Sequence, residues 1–417
     1  MSSNLGAHGE FVAKGSLRSW WRDRRVRLAA AVVSVLAMLI GSLVWANSAQ
    51  AATHTFVVDS FDTNSNARSA NPSSGVCKSV SGKCTLRAAV EASNALNLPK
   101  GQVLITVAND LVGNIDPENS AGSRMNNSRV STYDAGAHFE VTAPVTIDLK
   151  NQVTIQSSVN SITTIFYVNG PDVELRNMTQ ILSGRTSFVA GSNAHNMTID
   201  GGTTITDKNY YPESFLAVRE GASNITVKNY RMQGYYPSSS LFYIDNYSNN
   251  SNAPIENLVI DNVDITYTVG GNCNAWDGSG CRTNILGFSR HNQTTELKGF
   301  TFKNSLISNL TTQTAFPFNS RGSYNTSVRV SDINISGNDF INVQGTGSAW
   351  YQAFISLPFG PIPGTNLINN NNIVRAAGGQ PYAVSWVVTR LLASLQVAEH
   401  CRLRTTTSTG TTQTRSI

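Results

Sequence analysis

From about residue 140 the chain repeats one short phrase: apolar, any residue, apolar, any residue, then Asn or Gly. It reads Val173-Glu-Leu175-Arg-Asn177, Met197-Thr-Ile199-Asp-Gly201 and Ile225-Thr-Val227-Lys-Asn229. It returns as Leu258-Val-Ile260-Asp-Asn262, Phe300-Thr-Phe302-Lys-Asn304 and Ile333-Asn-Ile335-Ser-Gly337. Alternation with period two predicts short strands with one face buried, and the closing Asn or Gly tolerates a left-handed backbone. Successive phrases begin 24 to 42 residues apart. The shortest spacing fits one turn of a solenoid, and the longer ones fit a turn plus an inserted loop. The expected fold is therefore all-β, a right-handed parallel β-helix over residues 111–386. Stacked Ile, Val, Leu and Phe would form its core. The many Asn residues have two readings: amide ladders at equivalent turns, or glycosylation at Asn196-Met-Thr, Asn224-Ile-Thr and Asn309-Leu-Thr. Ladders are the favoured reading, because Asn-rich chains create such triplets by chance.

A solenoid exposes its core at its ends and needs caps. Residues 52–110 read as the N-terminal cap. Thr55-Phe-Val-Val58 is a strand, Cys77 and Cys84 close a small loop, and Thr85 starts a helix, the only one expected in the mature body. Leu86, Ala89, Val90 and Ser93 share one face of it. A second close pair, Cys273 and Cys281, brackets another Gly/Ser-rich loop, and Cys401 is left over. Two local disulfides, Cys77–Cys84 and Cys273–Cys281, are expected in an oxidising compartment.

The first 51 residues point the same way. A basic stretch, Arg18 to Arg27, precedes an uncharged apolar run, Leu28 to Ala46, and then Ala49-Gln50-Ala51. That is the order of a secretory signal. The run is nearly long enough to span a bilayer, so an uncleaved anchor is the alternative, and membrane contact would come only through it. The formal charge of +5 belongs to the ends. Residues 1–51 carry a net +4 and residues 387–417 a net +3, leaving −2 for residues 52–386. A slightly acidic body has no field for phosphates, so nucleic acid is not an expected partner.

The stretch Cys84-Thr-Leu-Arg-Ala-Ala-Val-Glu-Ala-Ser-Asn94 resembles a Cys-Ser-Leu-Arg-Glu-Ala-Ile-x-x-Ala-Asn motif that opens many exported bacterial β-helix surface proteins. Ala88 stands where that motif has Glu, and Ser93 where it has Ala. The motif marks a cap, not a catalytic site. More narrowly, the basic Trp-Trp signal, the Ala-Asn-Ser-Ala-Gln-Ala region and the Asn-rich coils resemble the WiSP family of Whipple's-bacillus surface proteins, over roughly residues 18–386. The resemblance implies a variable surface antigen or adhesin, exported to the cell surface or beyond. Its partner would be a host surface protein or glycan, or a cell-wall polymer.

Many β-helices cleave polysaccharides, which makes the body acids worth testing. Asp200, Asp207, Asp245, Asp261, Asp264 and Lys228 are the candidate groups, but they read as scattered strand and turn positions, and no two Asp are adjacent. No catalytic residue, metal site or cofactor is assigned, since neither the cysteine pairs nor the six histidines have ligand spacing. Asp277-Gly-Ser-Gly lacks the further acids of a calcium loop. The candidate ligand contacts are aromatic: Trp276 in the Cys273–Cys281 loop, then Tyr235, Tyr236, Trp350 and Tyr351. The expected function is a non-enzymatic surface protein; a secreted lyase or glycoside hydrolase of the same fold, or a carbohydrate-binding module, is the alternative. After Trp386 the texture changes: residues 387–417 hold no Asn and one Gly. This tail is expected to be foreign to the fold, the product of a frameshift or recombination junction, and to add no coil.

Overall fold

The structure is a computed structural model. It describes residues 52, 54–117, 125, 136–156, 164–182, 186–206, 214–235, 240–245, 253–267, 284–288, 294–312, 314–318, 328–345, 354–357, 362–375, 395–396, 402–406 and 412–416. The body is all-β, built from long parallel ladders, as a parallel β-helix requires. The phrases seen in the sequence are its stacked strands. Val145–Asp148, Val173–Leu182, Thr198–Thr206, Ser223–Tyr235, Ile255–Asp261, Thr295–Lys303, Val328–Ser336 and Asn366–Asn369 pair in parallel, each with the next. His54–Val58 and Val103–Val107 precede them in the same ladder.

Each phrase ends at a left-handed residue, and there the chain bends into a second ladder. Asn177, Asn229, Asn262 and Asn304 all have φ between 51° and 54°, and Gly201 and Gly337 occupy equivalent turns at 72° and 67°. Asn suits this conformation better than other chiral residues because its short amide bonds locally. The bond here runs from coil to coil: the Asn262 amide donates to Asn229 Oδ1 at 2.8 Å. A second set of left-handed turns makes a second ladder. Asn196 donates to Asp172 Oδ1, Asn224 to Asn196 and Asn257 to Asn224, at 3.1, 2.9 and 2.8 Å. Asn309 accepts at Oδ1 from the Asn342 amide of the next coil at 2.6 Å. The three triplet asparagines are therefore ladder members.

The core is columnar. Ile105, Ile147, Leu175, Ile199, Val227, Ile260, Phe302, Ile335 and Ile368 stack in register, none more than 4% exposed. Facing them is a six-stranded parallel sheet, from Ala137–Val141 through Thr164–Val168, Thr186–Ala190, Ser214–Arg219 and Ser240–Asp245 to Asn284–Phe288. Its inward rings stack as well: Phe139 on Phe166 at 5.1 Å, and Phe166 on Phe188 at 5.9 Å. This sheet is buried on both faces, so Thr164–Val168 and Thr186–Ala190 show no alternation.

In residues 52–110 the expected loop disulfide and helix are both present. Cys77 and Cys84 are bonded, and the helix runs from Leu86 to Leu96 with Thr85 Oγ1 accepting from the Ala88 N–H. Leu86, Ala89, Val90 and Ser93 are buried. Asn94 ties this helix to the body: it donates to the Glu140 carbonyl at 2.7 Å and accepts from the Thr142 N–H at 2.9 Å. The Cys273–Cys281 pair lies outside the described residues.

The described residues of the tail, 395–396, 402–406 and 412–416, are paired as strands, which the expectation that it adds none did not anticipate. Leu395–Gln396 pairs in parallel with Asn366–Asn369, and Arg402–Thr406 with Asn372–Arg375. Thr412–Ser416 then returns antiparallel on Arg402–Thr406. The tail thus adds strands to the ladder. A Thr-rich segment has the β propensity to do so despite lacking the Asn turns of the body.

Candidate interaction surface

The exposed face of the large sheet carries an order that the sequence conceals. Register places Asp148 beside Arg176, Arg176 beside Asp200, Asp200 beside Lys228, Lys228 beside Asp261, and Asp261 beside Lys303. Six consecutive coils therefore present one column of strictly alternating charge. Of the acids expected to be scattered, Asp200 and Asp261 fall in this column with Lys228 between them, and Asp264 pairs with Arg231 at 3.3 Å in the ladder alongside.

The acids in the column are held by their neighbours, Asp200 and Asp261 on two sides. Asp148, Asp200 and Asp261 accept at Oδ1 from the amides of Asn177, Asn229 and Asn304, at 3.0, 2.7 and 2.9 Å. The Oδ2 atoms of Asp200 and Asp261 face Lys228 and Lys303 at 3.1 and 3.2 Å. Arg176 takes Glu174 at 2.7 Å, and that bond raises its already high pKa. Like charges on adjacent coils would sit one strand spacing, about 4.8 Å, apart, so alternation favours this register over a slipped one. On one side the column is flanked by Thr146, Glu174, Thr198, Thr226, Val259 and Thr301, and on the other by the Asn and Gly turns.

A second polar group lies on the outer side of the six-stranded sheet. The Arg219 guanidinium lies 5.8 Å from the centroid of the Tyr167 ring, which packs so closely on Gly191 that a Cβ there would come within 2.7 Å of it. Arg219 Nε is 3.9 Å from Oδ2 of fully buried Asp245. Burial raises the Tyr167 pKa, against the opposing pull of Arg219. Tyr167, Val189, Ala217 and Ala137 form a small apolar cluster there, with Tyr243 packed against it.

The remaining candidates fall elsewhere. Trp276, Tyr236, Trp350, Tyr351 and Asp207 lie outside the described residues. Tyr235 ends the strand Ser223–Tyr235, and only its backbone is described. Among the described residues no group of three His, Cys, Asp or Glu gathers as a metal site, and no helix is long and apolar enough to cross a membrane. The run Leu28 to Ala46 lies outside them. The charge column escaped the sequence reading because its members are separated by 24 to 42 residues of uneven spacing. The signal that would have found it is the residue just before each closing Asn or Gly: Arg176, Asp200, Lys228, Asp261 and Lys303. Comparison with protein-family models, curated proteins and solved structures finds no match.

Proposed function

We propose that the chain is a non-enzymatic exported β-helix protein that works at the cell surface or outside the cell as an adhesin or variable antigen. The observation that carries this reading is the engagement of the broad face's acids. Asp200 and Asp261 each spend one oxygen on an Asn amide and the other on a lysine. Groups held this way build a stiff surface; a general acid or base needs a free, tunable proton site. The architecture also supports an antigenic role, because fixed ladders tolerate insertions of varied length between them. The bonded Cys77–Cys84 pair and the signal-like N-terminus are in keeping with export. The WiSP resemblance belongs to the same reading. The partner would be a host surface protein, a glycan or a cell-wall polymer.

The Arg219, Asp245 and Tyr167 cluster is the one observation that favours the alternative, a secreted lyase or hydrolase. Beads coated with the full chain test the choice. Retention on host-cell surfaces, glycans or wall polymer, without release of oligosaccharides, is the expected result. Release of oligosaccharides that disappears in Arg219→Met would overturn it in favour of the enzyme.

A further inference from the structure

The charge column has a symmetry property. Read from the N-terminal coil it runs Asp148, Arg176, Asp200, Lys228, Asp261, Lys303, that is minus, plus, minus, plus, minus, plus. Reversed, it reads plus, minus, plus, minus, plus, minus. An alternating column with an even number of members is therefore the complement of its own reversal.

We propose that this face is a docking surface for a second copy of the same chain, laid antiparallel across a two-fold axis between the Asp200 and Lys228 coils. That axis sets Asp148 against Lys303 of the second copy, Arg176 against Asp261 and Asp200 against Lys228. By symmetry all six positions meet an opposite charge, over about 24 Å at about 4.8 Å per coil. The flanking columns oppose no like charges. On one side Thr146 meets Thr301, Glu174 meets Val259 and Thr198 meets Thr226. On the other, Thr179 meets Asp264 and Thr203 meets Arg231. At the centre of the face the residues beside the column are the short Thr198 and Thr226, which let the heads of Asp200 and Lys228 approach. The parallel in-register arrangement sets every charge against its like and is excluded; offset by one coil a parallel pair makes five opposite contacts, against six for the antiparallel pair, which is the fully complementary arrangement.

The bonds within each chain leave capacity for this. An ammonium group has three N–H donors, and Lys228 and Lys303 each use one on an aspartate of their own chain. The aspartates are pinned by Asn amides, so little side-chain freedom is lost on docking. Exposed ion pairs contribute little each, and the association is accordingly weak and sensitive to salt. On the display reading, antiparallel pairing joins copies that project from facing surfaces. The association itself needs only purified protein, so its failure and the failure of the display reading are separable.

Sedimentation of the full chain tests the proposal. A dimer is expected at about 0.02 M salt and its loss at about 0.5 M. Asp200→Lys with Asp261→Lys should remain monomeric, as should Arg176→Asp with Lys228→Asp, while an equimolar mixture of the two should dimerise, since all six antiparallel contacts are again opposite. Far-UV circular dichroism checks that each is folded. If either double variant does not fold, the cysteine variants decide. Asp148→Cys protein mixed with Lys303→Cys protein should give a 148–303 disulfide between chains, mapped by mass spectrometry, and Asp148→Cys alone should give none between chains at that position. A monomer at low salt, a mixture of folded variants that stays monomeric, or 148–148 cross-linking would overturn it.

Discussion

Removing the amide of Asn338 should open the solenoid at one turn. Asn338 is buried, at 1% exposure, and follows the left-handed Gly337. Its Oδ1 accepts from the Ser305 N–H one coil earlier at 3.0 Å, and its Nδ2 donates to the Phe302 carbonyl at 2.9 Å. Asn371 repeats this a coil later, accepting from the Asn338 N–H at 3.2 Å and donating to the Ile335 carbonyl at 2.7 Å. A coil earlier, Ser305 Oγ accepts from the Val263 N–H at 3.2 Å. Each turn's backbone is thus satisfied by a side chain from the next coil. Asn338→Ala strips this partner from one buried N–H and one buried C=O, and each loss costs about 1–3 kcal/mol. The total should be about 4 kcal/mol, which corresponds to amide exchange at Ser305 faster by about three decades. Asn342→Ala is the control. Its half-buried amide donates to Asn309 Oδ1 at 2.6 Å, and its loss should cost about 1 kcal/mol. Hydrogen exchange resolved to residues reads both. If Asn338→Ala costs no more than Asn342→Ala, or Ser305 exchange is unchanged, the coil-to-coil account of the turns is wrong.

Other consequences follow from the same structure. Ile260→Ala or Phe302→Ala should cost about 2–5 kcal/mol in urea unfolding because each opens a cavity between stacked coils, whereas Thr226→Ala on the outer face should cost under about 1 kcal/mol. Reducing Cys77–Cys84, eight residues inclusive, should lower stability by about 2–3 kcal/mol in the loop-closure picture, read as an earlier urea midpoint for the cap. Tyr230 and Tyr267 are fully buried, and burial raises both above the ordinary value of 10.0. Above about pH 10 the unfolded chain releases protons that the folded chain keeps, so stability should fall by about 1.4 kcal/mol per pH unit for each tyrosine. Tyr230→Phe should remove one such contribution; an unchanged slope would contradict its burial as the cause.

What the sequence made legible was local. Leu175, Val227, Ile260 and Phe302 announced their inward positions by alternation, and Asn177, Asn229 and Asn262 announced the turns, because both signals fit within five residues. The cap was legible for the same reason, with Thr85 and the helix behind it contiguous. Stacking was not. Which residue lies on which depends on loops of uneven length, so the alternation from Asp148 to Lys303 emerges only from register. The six-stranded sheet was equally hidden, since strands buried on both faces, such as Thr164–Val168, carry no period-two signal. The tail misled because its Thr-rich text lacks the body's phrase, although Thr serves a strand well.

On the proposed reading the protein is displayed at the cell surface or beyond and binds rather than cleaves. The most direct test of that reading is antibody labelling of intact, unpermeabilised producer cells, with the culture medium assayed alongside, before and after brief external protease. The account predicts labelled cells, or the protein in the medium, and loss of any surface label on proteolysis. Labelling that appears only after permeabilisation, with none in the medium, would contradict it.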